Sequence, residues 1–181
     1  MMEEVKMERI SVCTEEIEQT AQQLRAGDTV YLSGTIYTAR DAAHKRLNEM
    51  LDRGEQLPFP LVNAVVYYAG PTPAPAGLPV GSCGPTTSSR MDVFTPRFLD
   101  LGLKAMIGKG DRSAAVKDAI CRNNAVYFCA VGGAGALAAQ SIRSLRVVAF
   151  EDLGCESVKE LRVEKFPLIV GIDCQGGTLF R

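Results

Sequence analysis

Lys104-Ala105-Met106-Ile107 is a short apolar run that stops at Gly108-Lys109-Gly110-Asp111-Arg112-Ser113. A helical pattern near 112–122 follows, and then a second apolar run at 125–130, which includes Val126-Tyr127-Phe128-Cys129-Ala130. Strand, glycine-rich turn, helix and strand in succession argue for an α/β domain. The surrounding chain extends the alternation. Thr29-Val30-Tyr31-Leu32-Ser33 reads as a strand, Gly34-Thr35 as a turn, and residues 39–51 as a helix. Ala64-Val65-Val66-Tyr67-Tyr68 is another strand, entering a proline-rich loop at 69–77. A helix is expected near 90–101 and a small-residue helix from Gly132-Gly133-Ala134-Gly135. The end is β-rich: strands at 146–150, 157–163 and 168–172, the last two joined by a hairpin at Glu164-Lys165-Phe166-Pro167. Ahead of all this, residues 14–25 read as an amphipathic helix with Ile17, Ala21 and Leu24 on one face.

Three helix starts carry cations. In Gly84-Pro85-Thr86-Thr87-Ser88-Ser89-Arg90-Met91-Asp92, Ser89 reads as an N-cap and Asp92 completes a capping box, with Arg90 in the first turn. Thr38 and Asp41 bracket Arg40 in the same way, and Lys109 and Arg112 lie in Gly108-Lys109-Gly110-Asp111-Arg112-Ser113, which leads from a strand into the helix near 112–122. A cation there opposes the helix dipole by roughly 0.3–1 kcal/mol. Taken singly, each has a plain structural reading: Arg40 pairing with Glu49, or Arg90 bracing Asp92. Taken together, they point to one site for a multiply charged anion, met by helix-start N–H groups, guanidinium forks and an ammonium.

The bulk properties narrow the field. With 181 residues, 46% hydrophobic and 23% charged, the chain fits one domain with a substantial core. A formal net charge of −1 suggests no nucleic-acid partner. No apolar run is long enough to span a bilayer and the N-terminus lacks a secretory pattern, so a cytoplasmic protein is expected. Six cysteines without a Cys-x-x-Cys pair, and one histidine, give no zinc spacing and no iron–sulfur ligand set; they read as reduced thiols.

Other patterns fail on spacing. Gly102 to Gly108-Lys109 has five intervening residues instead of the four of a P-loop, and Gly110 stands where Ser or Thr is required. The Gly132 segment lacks a Gly-x-Gly-x-x-Gly spacing, and no nucleophile elbow occurs. Asp100, Asp111, Asp118 and Asp152 read as capping and surface acids. His44 shares a helix face with Arg40 and reads as a structural or orienting group before a catalytic one.

Several segments occur here in a fixed order: Ser33 to Arg46, Tyr68-Ala69-Gly70-Pro71, Gly84 to Asp92, Gly108 to Ser113, Val131-Gly132-Gly133 and Asp152 to Val158. Together they resemble the β subunit of class I, iron–sulfur-dependent fumarate hydratase, which is the C-terminal domain in single-chain forms; the likeness starts near residue 28. The resemblance implies a swivelling β/β/α domain, a single domain with a mixed sheet and flanking helices. It sets residues 1–27 apart as an N-terminal extension and helix packed on a domain of residues 28–181. It also implies an α subunit carrying a [4Fe–4S] cluster, in a heterodimer or dimer of heterodimers. In that family the open iron binds the substrate hydroxyl and one carboxylate. By matched motif, Arg40, Arg90 and Lys109 would bind carboxylate oxygens, Thr86 would remove the C3 proton of malate, and Thr87 would donate a hydrogen bond. Asp41, His44 and Arg112 would stand behind them, and no metal ligand is assigned to this chain.

The family also holds L-tartrate dehydratase β subunits. Ser88-Ser89 stands where fumarases more often show Ala-Gly, and Cys155 where methionine is more usual. The expected function is a hydro-lyase subunit acting on fumarate and L-malate, active only with its α subunit. The alternatives are a tartrate or other hydroxy-diacid dehydratase subunit, and a non-catalytic anion-binding module of the same fold.

Overall fold

Seven strands pair into one mixed sheet that closes on itself. The computed structural model describes residues 8–130 and 135–181, and the counts here refer to them. The strands are β1 (Ile10–Cys13), β2 (Thr29–Thr38), β3 (Val65–Tyr67), β4 (Ala105–Gly108), β5 (Val126–Ala130), β6 (Ile142–Ala149) and β7 (Val158–Ile172). The helices are α1 (Ile17–Gln23), α2 (Asp41–Asp52), α3 (Thr95–Asp100), α4 (Ala114–Arg122) and α5 (Gly135–Ser141). β2, β3, β4 and β5 run parallel, and β7 closes the circuit antiparallel to both β5 and β2. β1 lies beside β2, and β6 beside the first part of β7. Closure is possible because β2 and β7, at 10 and 15 residues, are long enough to change neighbours along their length.

Side chains alternate across a strand, and here both faces are buried. Val65, Tyr67, Ala105, Ile107, Val126, Phe128, Leu168 and Val170 belong to one core. Val66, Tyr68, Met106, Tyr127 and Ile172 join a second, built with Ala43 and Leu47 of α2, Phe98 and Leu99 of α3, and Val116 and Ile120 of α4. Double burial is why these strands read as unbroken apolar runs. The α/β expectation, with a mixed sheet and flanking helices, holds.

The stretch before β2 is part of this fabric. Ile17, Ala21 and Leu24 are buried in the first core, and β1 adds an edge strand. Burying two large aliphatic side chains contributes roughly 3–6 kcal/mol, enough to fasten the segment.

Several expectations are corrected. Gly34-Thr35 is no turn: β2 runs straight through, and Gly34 (φ 123°) lets Thr14 approach so closely that a Cβ would meet its Oγ1 at 2.0 Å. The hairpin at 164–167 is absent too. β7 passes through a bulge in which two steps on β2, from Leu32 to Gly34, face three on β7, from Phe166 to Val163. Lys165 takes φ 50° there, and Ser33 Oγ accepts its N–H at 3.0 Å. Pro167 is accommodated where β7 leaves β6 and has not yet met β5.

The expected helix at 90–101 divides into a 3₁₀ turn, Ser88–Met91, and α3, which starts at Thr95 with a proline in its first turn. Thr38 does not cap α2. It is the last residue of β2, and its Oγ1 takes the N–H of Lys159 on β7. The residue at the N-cap position of α2 is Arg40 itself. Residues 131–134, which hold Val131-Gly132-Gly133, and residues 1–7 lie outside the described residues.

Candidate active site

The carboxyl ends of parallel strands are where an open α/β sheet binds ligands, because the chain leaves the sheet there and exposes backbone groups at helix starts. Here the ends of β2, β3 and β4 form a rim. β2 leads through Ala39, whose N–H bonds Tyr67 O at 3.1 Å, to Arg40 and α2. β3 leads through Tyr68 and Ala69, and Ala69 bridges Pro85. That bridge draws the Gly84–Asp92 segment onto the rim, where Thr86 N–H donates to Tyr68 O at 2.7 Å. β4 ends at Gly108, and Lys109 then bridges Thr87.

Arg40, Asp41, Thr86, Thr87, Arg90 and Lys109 therefore lie on one rim. Arg90 pairs with Asp41, bringing two of the three cationic segments into contact. Arg40 lies across Gly70, where a Cβ would come within 3.0 Å of Arg40 Nη1 and 3.1 Å of Cys155 O. In the sequence Gly70 belongs to a proline-rich loop and to the Tyr68-Ala69-Gly70-Pro71 segment; in the fold its missing side chain makes the groove for the guanidinium.

The partners differ from the plain readings. Arg90 pairs with Asp41 and not Asp92, and both side chains are substantially exposed, so the pair is worth little and exchanges readily. Among the described residues, Arg40 and Lys109 make no ion pair. Arg40 Nε, Asp41 Oδ1 and Glu156 Oε1 are buried without a hydrogen-bond partner there. Buried charged groups rarely stay unsatisfied, so such atoms mark a place where binding completes the polar network.

The third cationic start resolves differently. Ser113 is the N-cap of α4, accepting Val116 N–H at 3.3 Å. Arg112 turns inward, its side chain fully buried. Its Nε donates to Asp92 Oδ1 at 2.7 Å, and Nη2 donates to Thr95 Oγ1 at 3.0 Å and Tyr68 Oη at 3.2 Å. It also stacks over Tyr127, 4.8 Å from the ring centre. Burial alone would lower its pKa, but the Tyr68 phenol and the Asp92 carboxylate outweigh this and hold it raised. The other oxygen of Asp92 accepts Ser113 N–H at 2.7 Å. Asp92, expected to complete a capping box beside Ser89, instead joins the Gly84–Asp92 segment to α4. Arg112 supports the rim from below.

His44 also lies below. It is 4% exposed, among Tyr68, Phe94 and Phe98. Its Nδ1 is 2.8 Å from Arg40 O, and since a carbonyl only accepts, Nδ1 carries the hydrogen. Burial, only partly opposed by that carbonyl, pulls its pKa down to about 4. His44 is thus neutral and anchors the backbone of Arg40.

The expected surface acids are surface acids: Asp100 pairs with Arg122, Asp111 with Lys117 and Asp152 with Arg46. All six cysteines are free. Among the described residues, no group of three or more His, Cys, Asp or Glu side chains is placed to hold a metal ion.

Comparison with known proteins places this chain in a family. The profile described as Fumarase C-terminus matches residues 1–181. The chain is 41% identical over 152 residues to "Fumarate hydratase class I, anaerobic" of Escherichia coli (strain K12), covering 83% of this chain and 28% of that protein. It is 38% identical over 168 residues to "Fumarate hydratase 2" of Leishmania major, covering 92% of this chain and 30% of that protein. Against "L(+)-tartrate dehydratase subunit beta" of Escherichia coli (strain K12) it is 35% identical over 163 residues, covering 87% of this chain and 80% of that protein. The chain thus spans under a third of the fumarate hydratases it matches but most of the tartrate dehydratase subunit. The protein belongs to the Fumarase C-terminus family, shared by class I fumarate hydratases and L(+)-tartrate dehydratase β subunits.

Proposed function

We propose that this chain is the β subunit of an iron–sulfur hydro-lyase that interconverts fumarate and L-malate. In this reading Arg40, Arg90 and Lys109 bind the carboxylate oxygens, Thr86 takes the C3 proton of malate, and Thr87 donates a hydrogen bond. Asp41, His44 and Arg112 hold those groups in place. The observation that supports the reading is that the segments carrying Arg40, Thr86, Thr87, Arg90 and Lys109 are drawn together along one rim, where Arg40 Nε and Asp41 Oδ1 have no partner among the described residues.

Removing a proton from the carbon beside a carboxylate leaves two electrons that spread into it as an enolate-like dianion. The hydroxyl then departs with a proton as water, and the double bond of fumarate forms. Cations placed in advance around that carboxylate stabilise the dianion more than the substrate, which is what lowers a barrier. A threonine hydroxyl is a poor base near neutral pH, so Thr86 relies on the cations beside it to stabilise its deprotonated form.

The [4Fe–4S] cluster finds no ligand set among the described residues, and the proposal assigns it to an α-type partner chain. The assembly is a heterodimer or dimer of heterodimers, and the closed ring is the swivelling β/β/α domain type. No helix among the described residues is long and apolar enough to cross a membrane, and a cytoplasmic enzyme is part of the proposal.

One observation favours a second substrate. The chain matches 80% of the length of a tartrate dehydratase subunit, and an added substrate hydroxyl asks for only one more polar contact. Co-expression with an α-type chain, purified without oxygen, separates the readings. Hydration of fumarate and dehydration of malate are expected. Turnover of tartrate alone transfers the assignment to the second substrate, and a stable chain that neither retains an iron-containing partner nor turns over any of the three diacids rejects both.

A further inference from the structure

Lys109 stands between Gly108 and Gly110, and Gly110 takes φ 83° with open space around it. Glycines on both sides leave the lysine on a backbone with little stiffness of its own. The stiffness comes from outside. Ser88 N–H donates to Lys109 O at 3.0 Å, and Ser88 Oγ lies 3.1 Å from Lys109 N. Tyr127 Oη is 2.8 Å from Ser88 Oγ and 2.8 Å from Gly110 O.

Counting hydrogens gives this chain one direction. A carbonyl only accepts, so the Tyr127 hydroxyl hydrogen goes to Gly110 O. The Ser88 hydroxyl hydrogen then goes to Tyr127 Oη, leaving a Ser88 lone pair for Lys109 N–H. Ser88 and Tyr127 are each 0% exposed, so water does not compete for these groups. Gly108 completes the arrangement, because a Cβ there would fall 1.9 Å from Ser88 Oγ.

We propose that Ser88 and Tyr127 are positioning residues that hold Lys109 in the anion site. The proposal rests on the hydro-lyase reading for the identity of the anion. Ser88→Ala keeps the N–H bond to Lys109 O and fits the space, losing only the hydroxyl. In the full chain, its Lys109 amide should exchange hydrogen about tenfold faster, the ratio one hydrogen bond of ordinary net strength represents, with the Val126 amide unchanged. In the complex with the α-type chain, kcat/KM for fumarate should fall by about tenfold, while Ser88→Ala in a Lys109→Gln background should add no further loss. Tyr127→Phe should also speed exchange at Lys109 by freeing the Ser88 hydroxyl.

Unchanged Lys109 exchange in Ser88→Ala overturns the proposal. So does an equal loss of kcat/KM with and without Lys109, which is what general damage to the fold produces. A wild-type complex inert towards fumarate and malate rejects the hydro-lyase reading instead, and amide exchange still decides the role of Ser88.

Discussion

Arg90 and Arg112 look alike in the chain: each is an arginine next to a serine, with an aspartate within two residues, near a helix start. In the fold they are opposites. Arg112 is fully buried, with two of its nitrogens bonded to Asp92, Thr95 and Tyr68 and its plane over an aromatic ring. Arg90 is 55% exposed and touches one acid, Asp41, itself partly open to solvent. A cation already satisfied by the protein supports a site, and one held loosely at a rim can be handed to a ligand. The difference is set by how many fixed acceptors the tertiary structure brings up.

The contrast breaks most sharply at Arg112. Arg112→Leu leaves the Asp92 carboxylate uncompensated beside α4, and urea unfolding should show a loss of about 3–5 kcal/mol. A loss under 1 kcal/mol would mean that Arg112 is no more structural than Arg90.

His44 offers the next effect, and it tests how firmly the layer below Arg40 is closed. Its folded pKa, about 4, lies below the ordinary value of 6.5, so folding favours the neutral ring. Its contribution is therefore fully present above about pH 6.5 and is lost as pH falls towards 4. That loss amounts to about 3 kcal/mol, and His44→Phe should remove this part of the pH slope in unfolding experiments. An unchanged slope would show that the ring titrates freely.

Arg90→Lys keeps the charge but loses the planar fork. In the active complex, kcat/KM for fumarate should drop by about tenfold or more, with stability changed by less than about 0.5 kcal/mol. Unaffected turnover would remove Arg90 from the proposed clamp. Smallest of all is Asp100→Asn. Arg122 first, and then Asn123, hold the Asp100 pKa down to about 2, but the group is exposed and solvent screens it. Its urea midpoint should not move beyond the scatter of the measurement.

Much of the frame was legible in the chain. The runs at 104–107 and 125–130 became β4 and β5, and the face of Ile17, Ala21 and Leu24 became buried, because burial on both faces leaves a pattern along the sequence. Thr95-Pro96 carries a helix-start signal of its own, masked in the sequence by the apparent capping box at Ser89 and Asp92. That box failed because Asp92 had stronger partners far along the chain, Arg112 and Ser113. The missed roles of Ser88, Tyr127 and Gly70 share this cause. A serine bonded to a lysine backbone and a tyrosine, or a glycine under a guanidinium, carries no local mark.

By itself the sequence determined the alternation of strands and helices, the motifs that place this chain in its family, and the segments that carry its cations. Those follow from local pattern and residue type. Only the tertiary structure decided that β2 and β7 are unbroken, that the sheet closes, and that Arg112 is buried against Asp92 while Arg90 stays exposed beside Asp41. Those depend on pairings across tens of residues, where burial and the supply of hydrogen-bond partners are settled by which surfaces finally meet.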